Sequence, residues 1–255
     1  MDATENDSRY LLQSAANTLT VLEIIAQNPE SGINEIVDLS GIGKSTVFRI
    51  LYTLESRNYI TRLETGRYRL GLKLFSLGKI VEKDCGIIQL AHPYLERLSN
   101  EAEETAHISI WKDRLHIVFI DKVVSTNTSL QMGSYIGYSR PAHLTASGKV
   151  LLSVCSDERI QEYINETEFT RLTDTTITSG NALFAEIRKI REQGYAVDNE
   201  ESEIGLVCMA DLIYDSFRQP YAAISISGPA PRMWKNHERN LAALKRIAHE
   251  VSEKL

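Results

Sequence analysis

The chain has 255 residues and a formal net charge of -6, which is room for one small and one medium domain and excludes a protein that coats nucleic acid generally, while suiting one whose DNA contact is a confined patch. Cys85, Cys155 and Cys208 stand far apart without a CxxC pair, so neither a disulfide framework nor a zinc ribbon is expected and the thiols are read as reduced. The opening MDATENDSRY is acidic and polar rather than basic then apolar, and no later stretch approaches a membrane span, so a cytoplasmic location is expected.

In chain order, residues 14–27 predict an amphipathic helix carrying Leu19, Val21, Leu22, Ile24 and Ile25, ended by Asn28-Pro29-Glu30-Ser31-Gly32. Next comes SGINEIVDLSGIGKSTVFRILYTLESRNYITRLETGRYRL. Ile33, Ile36, Val37 and Leu39 suit a short helix capped by Asn34, and Gly41 to Gly43 permits a tight reversal. Ser45 and Thr46 then open a longer helix with Val47, Ile50, Leu51 and Leu54 inward, leaving Lys44, Ser45, Thr46, Phe48 and Arg49 outward. Tyr59, Ile60, Arg62 and Tyr68, Arg69, Leu70 flank the turn Glu64-Thr65-Gly66-Arg67, the pattern of a two-stranded wing.

Together these segments predict a winged helix-turn-helix. Charge supplies an independent check: residues 41–83 hold nine Lys or Arg against three Glu, so the cations are concentrated where phosphates would lie. The competing reading, a winged module that binds protein, leaves that basic face without a purpose. Lys44, Ser45, Thr46 and Arg49 are the expected groove contacts, with Arg67 and Arg57 on the phosphate backbone.

Residues 71–83 predict a linker helix whose Leu72, Leu74, Phe75, Leu77 and Ile80 would meet a second subunit. A further helix starts at Gly86, with Pro93 near a start or kink. HISIW, LHIVFIDKV and SLQM read as strands, the first two joined at Lys112-Asp113-Arg114. Residues 146–154, 157–165 and 182–193 read as helices, followed by the strands GYAVD, IGLVCMADLIY and PYAAISISG and a closing helix over 237–254. Strands before and after a helical insertion predict an α+β domain, an antiparallel sheet with helices on one side.

Chemical motifs give little. Gly43-Lys44-Ser45-Thr46 lacks the earlier glycine of a phosphate loop, having Asp38 there, and Ser76 with Lys79 copies an acylase spacing without companions. His107 and His116 could face one another across a hairpin as metal ligands, but no carboxylate or cysteine stands at ligand spacing. Thr145-Ala146-Ser147-Gly148-Lys149 admits two readings, a helix start whose N–H groups bind a carboxylate or a tightly packed helix start with Gly148 for close backbone approach. An enzymatic alternative is a hydrolase using Ser147 or Cys208 with His143 and Asp198, without a nucleophile elbow to support it.

The order of SAANTLTVLEIIAQ, the winged segment, GRYRLGLKLFSLG, AHPYLERLSNEAEETAHISI, RPAHLTASGKVLL, IREQGYAVDNEE and AAISISGP resembles the IclR-type bacterial transcriptional regulators across nearly the whole chain. The chain differs from the usual pattern at Asn17, Phe48 and Met209-Ala210-Asp211. The resemblance implies a DNA-binding domain over 1–70, a linker helix over 71–84 and a GAF-like effector and oligomerisation domain over 85–255. It implies dimers through the DNA-binding half, often tetramers, and an effector pocket lined by Ala146, Ser147, Gly148, Asp198, Cys208, Ser225 and Ser227. The function expected is regulation of transcription, as a repressor, without catalysis or cofactor: a dimer or tetramer on a roughly palindromic operator, modulated by a small hydroxy or keto acid.

Overall fold

The computed structural model describes residues 10–125 and 133–255, so the predicted strand SLQM lies outside the described residues. The chain divides into two compact units, residues 1–85 and 86–255.

In the first unit, α1 (Gln13–Gln27), α2 (Ile33–Ser40) and α3 (Lys44–Ser56) precede β1 (Ile60–Arg62), β2 (Tyr68–Leu70) and α4 (Leu72–Asp84). Val21 and Ile25 of α1, Ile36 of α2, and Val47, Ile50, Leu51 and Leu54 of α3 close over Ile60 and Tyr68 as one core. Burial at these positions fixes which face of α3 is left for solvent. Asn34 is not the cap of α2. Gly32 takes that position and its N–H donates to the Glu35 carboxylate at 2.8 Å, because a carboxylate three residues into the helix reaches back to the first free donor. Gly41 ends α2 at φ +66°, the left-handed conformation that the reversal demands.

In the second unit, α5 (Gly86–Ala102) leads into β3 (Thr105–Trp111) and β4 (His116–Val123), then β5 (Ser139–Pro141) and a 3-10 turn over Ala142–Leu144. The helices α6 (Ala146–Ser153), α7 (Asp157–Glu166) and α8 (Gly180–Gln193) follow, then β6 (Ala196–Asn199), β7 (Leu206–Tyr214) and β8 (Pro220–Pro229). The short α9 (Ala230–Lys235) and α10 (His237–Ser252) close the chain. The strands form one antiparallel sheet in the order β5-β4-β3-β8-β7-β6.

Helices cover both faces of this sheet, not one. Alternation along β8 shows why: Ala222, Ile224 and Ile226 pack with Leu95 of α5 and Leu244 of α10, while Ala223 packs with Val150 of α6 and Ile187 of α8. Both faces of the central strands are therefore buried, but only the face toward α5 and α10 is apolar throughout; the face toward α6 sets Ala223 among His107, Ser109, Ser225 and Ser227. Pro93 lies inside α5 rather than at its start. Ile87, Ala91, Leu95 and Leu98 keep one buried stripe on either side of it, and that burial outweighs the hydrogen bond the imide cannot donate.

Candidate functional site

The winged unit presents Lys44, Ser45, Thr46, Phe48, Arg49 and Tyr52 on the exposed face of α3, with Arg57 exposed just past its end. Among the described residues, Lys44, Arg49 and Arg57 make no ion pair, so their charge is free for another anion. The wing turn is closed by Leu63 N–H to the Arg67 carbonyl at 2.8 Å and Gly66 N–H to the Leu63 carbonyl at 2.9 Å. Arg67 itself is exposed but already paired. Its guanidinium sits 2.6 Å from the Glu35 carboxylate and its Nε donates to the Glu30 carbonyl, so it fastens the wing to the start of α2 instead of offering its charge outward. Arg62 and Arg69, in the strands of the same wing, are exposed and make no ion pair among the described residues. Their position beside the wing turn was visible in sequence; that they, rather than Arg67, keep their charge free was not.

The sheet unit holds a cavity of about 200 Å³ between one face of the sheet and the start of α6. Strand register assembles its floor. Asp198 of β6 pairs with Cys208 of β7, and Cys208 pairs with Ser227 of β8, while Ser225 pairs with His107 of β3. Ala146 and Ser147 enter from α6, and Phe119, Ser134, Tyr138, Arg140, Ser202 and Glu203 are among the residues that line the rest. Six of the seven expected effector residues thus converge.

Gly148 is the exception. A side chain there would collide with the backbone of Ala142, so it serves close approach between α6 and the preceding turn rather than the cavity. Its N–H donates to the Thr145 hydroxyl at 2.9 Å, whereas the N–H groups of Ala146 and Ser147 have no partner among the described residues and remain available to an acceptor.

The Asp198 carboxylate accepts from Glu201 N–H and from the Ser202 hydroxyl, each at 2.8 Å. Burial raises its pKa against the opposing pull of Lys149. It therefore shapes the turn after β6 as well as bordering the cavity. Burial, with the Lys122 ammonium nearby, lowers the His107 pKa to about 3, so the ring is neutral; its Nε2 lies 2.8 Å from the Ser134 hydroxyl. Arg140 is half-buried, bonded only to the Tyr138 hydroxyl at 3.2 Å, and makes no ion pair among the described residues. His107 and Arg140 were missed as pocket residues. Arg140 opens the segment RPAHLTASGKVLL, but a polar residue on a three-residue strand gives no periodic signal of facing inward.

The enzymatic alternative has no assembled constellation. His143 is buried with its Nδ1 2.8 Å from the Tyr163 hydroxyl and does not line the cavity, and burial pushes the Cys208 thiol up, keeping it protonated. Nor do His107 and His116 face one another: register sets His107 opposite Lys122 and His116 opposite Pro141. No group of three or more His, Cys, Asp or Glu among the described residues could hold a metal ion, and no helix among them is long and apolar enough to cross a membrane.

A helix-turn-helix with a free basic face in one unit, and a polar-lined cavity on a two-sided sheet in the other, define the class of DNA-binding transcriptional regulators with a separate second domain. Comparison agrees. Residues 14–64 match the IclR helix-turn-helix domain, and residues 79–253 match the family described as bacterial transcriptional regulator IclR C-terminal. The HTH-type transcriptional regulator KdgR of Dickeya chrysanthemi is 35% identical over 246 residues, covering 96% of this chain and 80% of that protein. The transcriptional repressor IclR of Escherichia coli K12 is 30% identical over 236 residues, covering 91% and 86%. The crystal structure of the Thermotoga maritima IclR, 33% identical, superposes with a TM-score of 0.76 over 95% of this chain and 98% of that one. The chain belongs to the IclR family of transcriptional regulators, whose curated members are regulators and repressors, not enzymes.

Proposed function

We propose that this regulator represses transcription from a roughly palindromic operator and is controlled by a small organic acid held in the cavity of the second unit. Lys44, Ser45, Thr46 and Arg49 read or position the major groove, and Arg57, Arg62 and Arg69 hold the phosphate backbone. Two such faces are presented by a homodimer, formed through the apolar stripe of α4, or by a tetramer built from it.

The observation that carries the effector reading is Arg140. It is a cation on a half-buried cavity wall with no ion-pair partner among the described residues, and an ordering anion offsets its loss of solvent. The free N–H groups of Ala146 and Ser147 supply further donors to the same anion. Ser225, Ser227 and Ser202 can both donate and accept, which suits a hydroxyl or carbonyl on the same ligand. A second carboxylate would be repelled by Asp198 and Glu203, so a monoanionic hydroxy or keto acid is favoured over a dianion.

Calorimetry with a panel of hydroxy, keto, aromatic and dicarboxylic acids tests this on the full chain, with binding to a selected operator measured in parallel. Arg140→Ala and Ser225→Ala are expected to lower acid affinity by tenfold or more while leaving effector-free operator binding intact. An acid that shifts operator affinity equally in wild type and both variants places the effector elsewhere, since only differential affinity for two conformations moves an equilibrium.

A further inference from the structure

On α3, Lys44, Phe48 and Tyr52 succeed one another at four-residue spacing, as do Ser45, Arg49 and Thr53 in the adjacent row. Phe48 is 58% exposed and Tyr52 68%, and Phe48, Arg49, Tyr52 and Thr53 line one shallow hollow on the helix surface. The core of the unit is complete without them, since Val47, Ile50, Leu51 and Leu54 fill the inward face. An apolar ring set among free cations therefore awaits a surface that is anionic at its edges and apolar in patches.

The major groove of a duplex meets that description, because phosphates line its rims and each thymine carries a C5-methyl group on its floor. We propose that Phe48 is a specificity-determining residue that packs on thymine methyl groups in each half-site, with Tyr52 flanking it toward the backbone. This rests on the reading of α3 as the groove-contacting helix. Phe48 has no donor or acceptor and can recognise no other feature of a base edge; cytosine, which lacks the methyl, is rejected because it leaves the ring uncovered. Arg49, one residue on, supplies the polar contact beside it.

The test removes only the methyl. An operator is first selected from a random duplex pool with the full chain. Each thymine is then replaced singly by deoxyuridine, which keeps base pairing and loses the C5-methyl, and affinity is measured at fixed salt. At the thymine under Phe48, deoxyuridine should weaken binding about fourfold, the effect of uncovering one methyl group. In Phe48→Ala the thymine and deoxyuridine duplexes should bind alike at that position, while substitutions at other thymines keep their effect. Because Phe48 is exposed, the variant keeps its fold, which an unchanged melting temperature verifies. Equal binding of every deoxyuridine duplex by the wild type, or survival in Phe48→Ala of every discrimination that the wild type shows, overturns the inference alone. If Lys44→Ala and Arg49→Ala also leave operator affinity unchanged, the reading of α3 falls with it.

Discussion

The Arg67 guanidinium of the wing lies 2.6 Å from the Glu35 carboxylate of α2, and Glu35 also accepts the Gly32 N–H at 2.8 Å. One carboxylate thus caps a helix and anchors the wing to it. The Gly32 N–H first, and Arg67 with it, hold the Glu35 carboxyl below its ordinary range, so the anchor persists until the solution is well below neutral pH.

Were Arg67 bound to a phosphate, Glu35→Ala would release a cation and strengthen DNA binding. The observed pairing predicts the reverse. Glu35→Ala and Arg67→Ala should both weaken operator binding, to a similar extent and without adding in the double variant, because each loosens the same anchor of the wing. Arg62→Ala or Arg69→Ala should instead flatten the salt slope by about one unit for each phosphate left without its cation. Fluorescence anisotropy across a salt series separates the two patterns.

Gly148→Ala tests the packing reading of that residue. Its new methyl meets the Ala142 backbone, which cannot rotate away as a side chain could, so destabilisation of about 1–3 kcal/mol is expected. Thermal unfolding of the second unit should fall by several degrees. An unchanged melting temperature would return Gly148 to the cavity lining.

The buried histidines predict an acid limb. His107 drops to about 3 and His143 to about 4 from an ordinary 6.5, both chiefly by burial. The unfolded chain binds their protons below pH 6.5 while the folded chain does not, so their neutral forms are undisturbed above 6.5 and stability is lost as pH falls toward 4. The expected slope is on the order of 1 kcal/mol per pH unit for each ring. Asp211, raised to about 6 by burial, opposes this, since the folded chain holds its proton more firmly between pH 6 and 4. Denaturant titrations at pH 7 and pH 5 should therefore show His107→Asn losing less stability on acidification than the wild type.

On α4, Leu72 is 83% exposed, Phe75 63% and Val81 64%, an apolar surface that a lone helix leaves in water. Phe75→Glu is predicted to weaken the dimer and, with it, affinity for a two-half-site operator, while affinity for a single half-site is retained. Sedimentation at low micromolar concentration that shows the wild-type mass would remove α4 from the interface.

Much of this was legible from residue pattern, for reasons that differ by element. Val47, Ile50, Leu51 and Leu54 mark the inner face of α3 because burial repeats with the helix period, and their complement gives the outer face directly. The sheet was harder. Its strands were found by alternation, yet their order and the second helical layer depend on pairings between distant segments such as β3 with β8, which no local period records. The site divides the same way: Asp198, Cys208 and Ser227 came from family likeness, and only the register shows that they are neighbours across three strands. Arg67 and Gly148 were assigned by their place in a motif. Their actual neighbours, Glu35 and the Ala142 backbone, stand within the same motifs, but the contacts are made by tertiary packing that the order of residues does not record.

Lys149 is fully buried in α6, with its Nζ 2.6 Å from the Val197 carbonyl, 2.5 Å from the Glu201 carboxylate and 3.7 Å from Glu186 of α8. The Thr176 hydroxyl donates to the Glu201 carbonyl at 2.6 Å and secures the same turn from behind. Parting α6 from the turn after β6 would strand an ammonium and a carboxylate in a dry interior, a cost of several kcal/mol. Those two sides of the cavity consequently behave as a fixed jaw. A bulkier occupant gains room more readily on the opposite side, where Ser134, Tyr138 and Arg140 border the space with no buried ion pair among the described residues, Ser134 being held by hydrogen bonds to His107 and Lys122. For the effector proposed above, the rigid jaw would set which functional groups are admitted, and the other side how large their carrier can be.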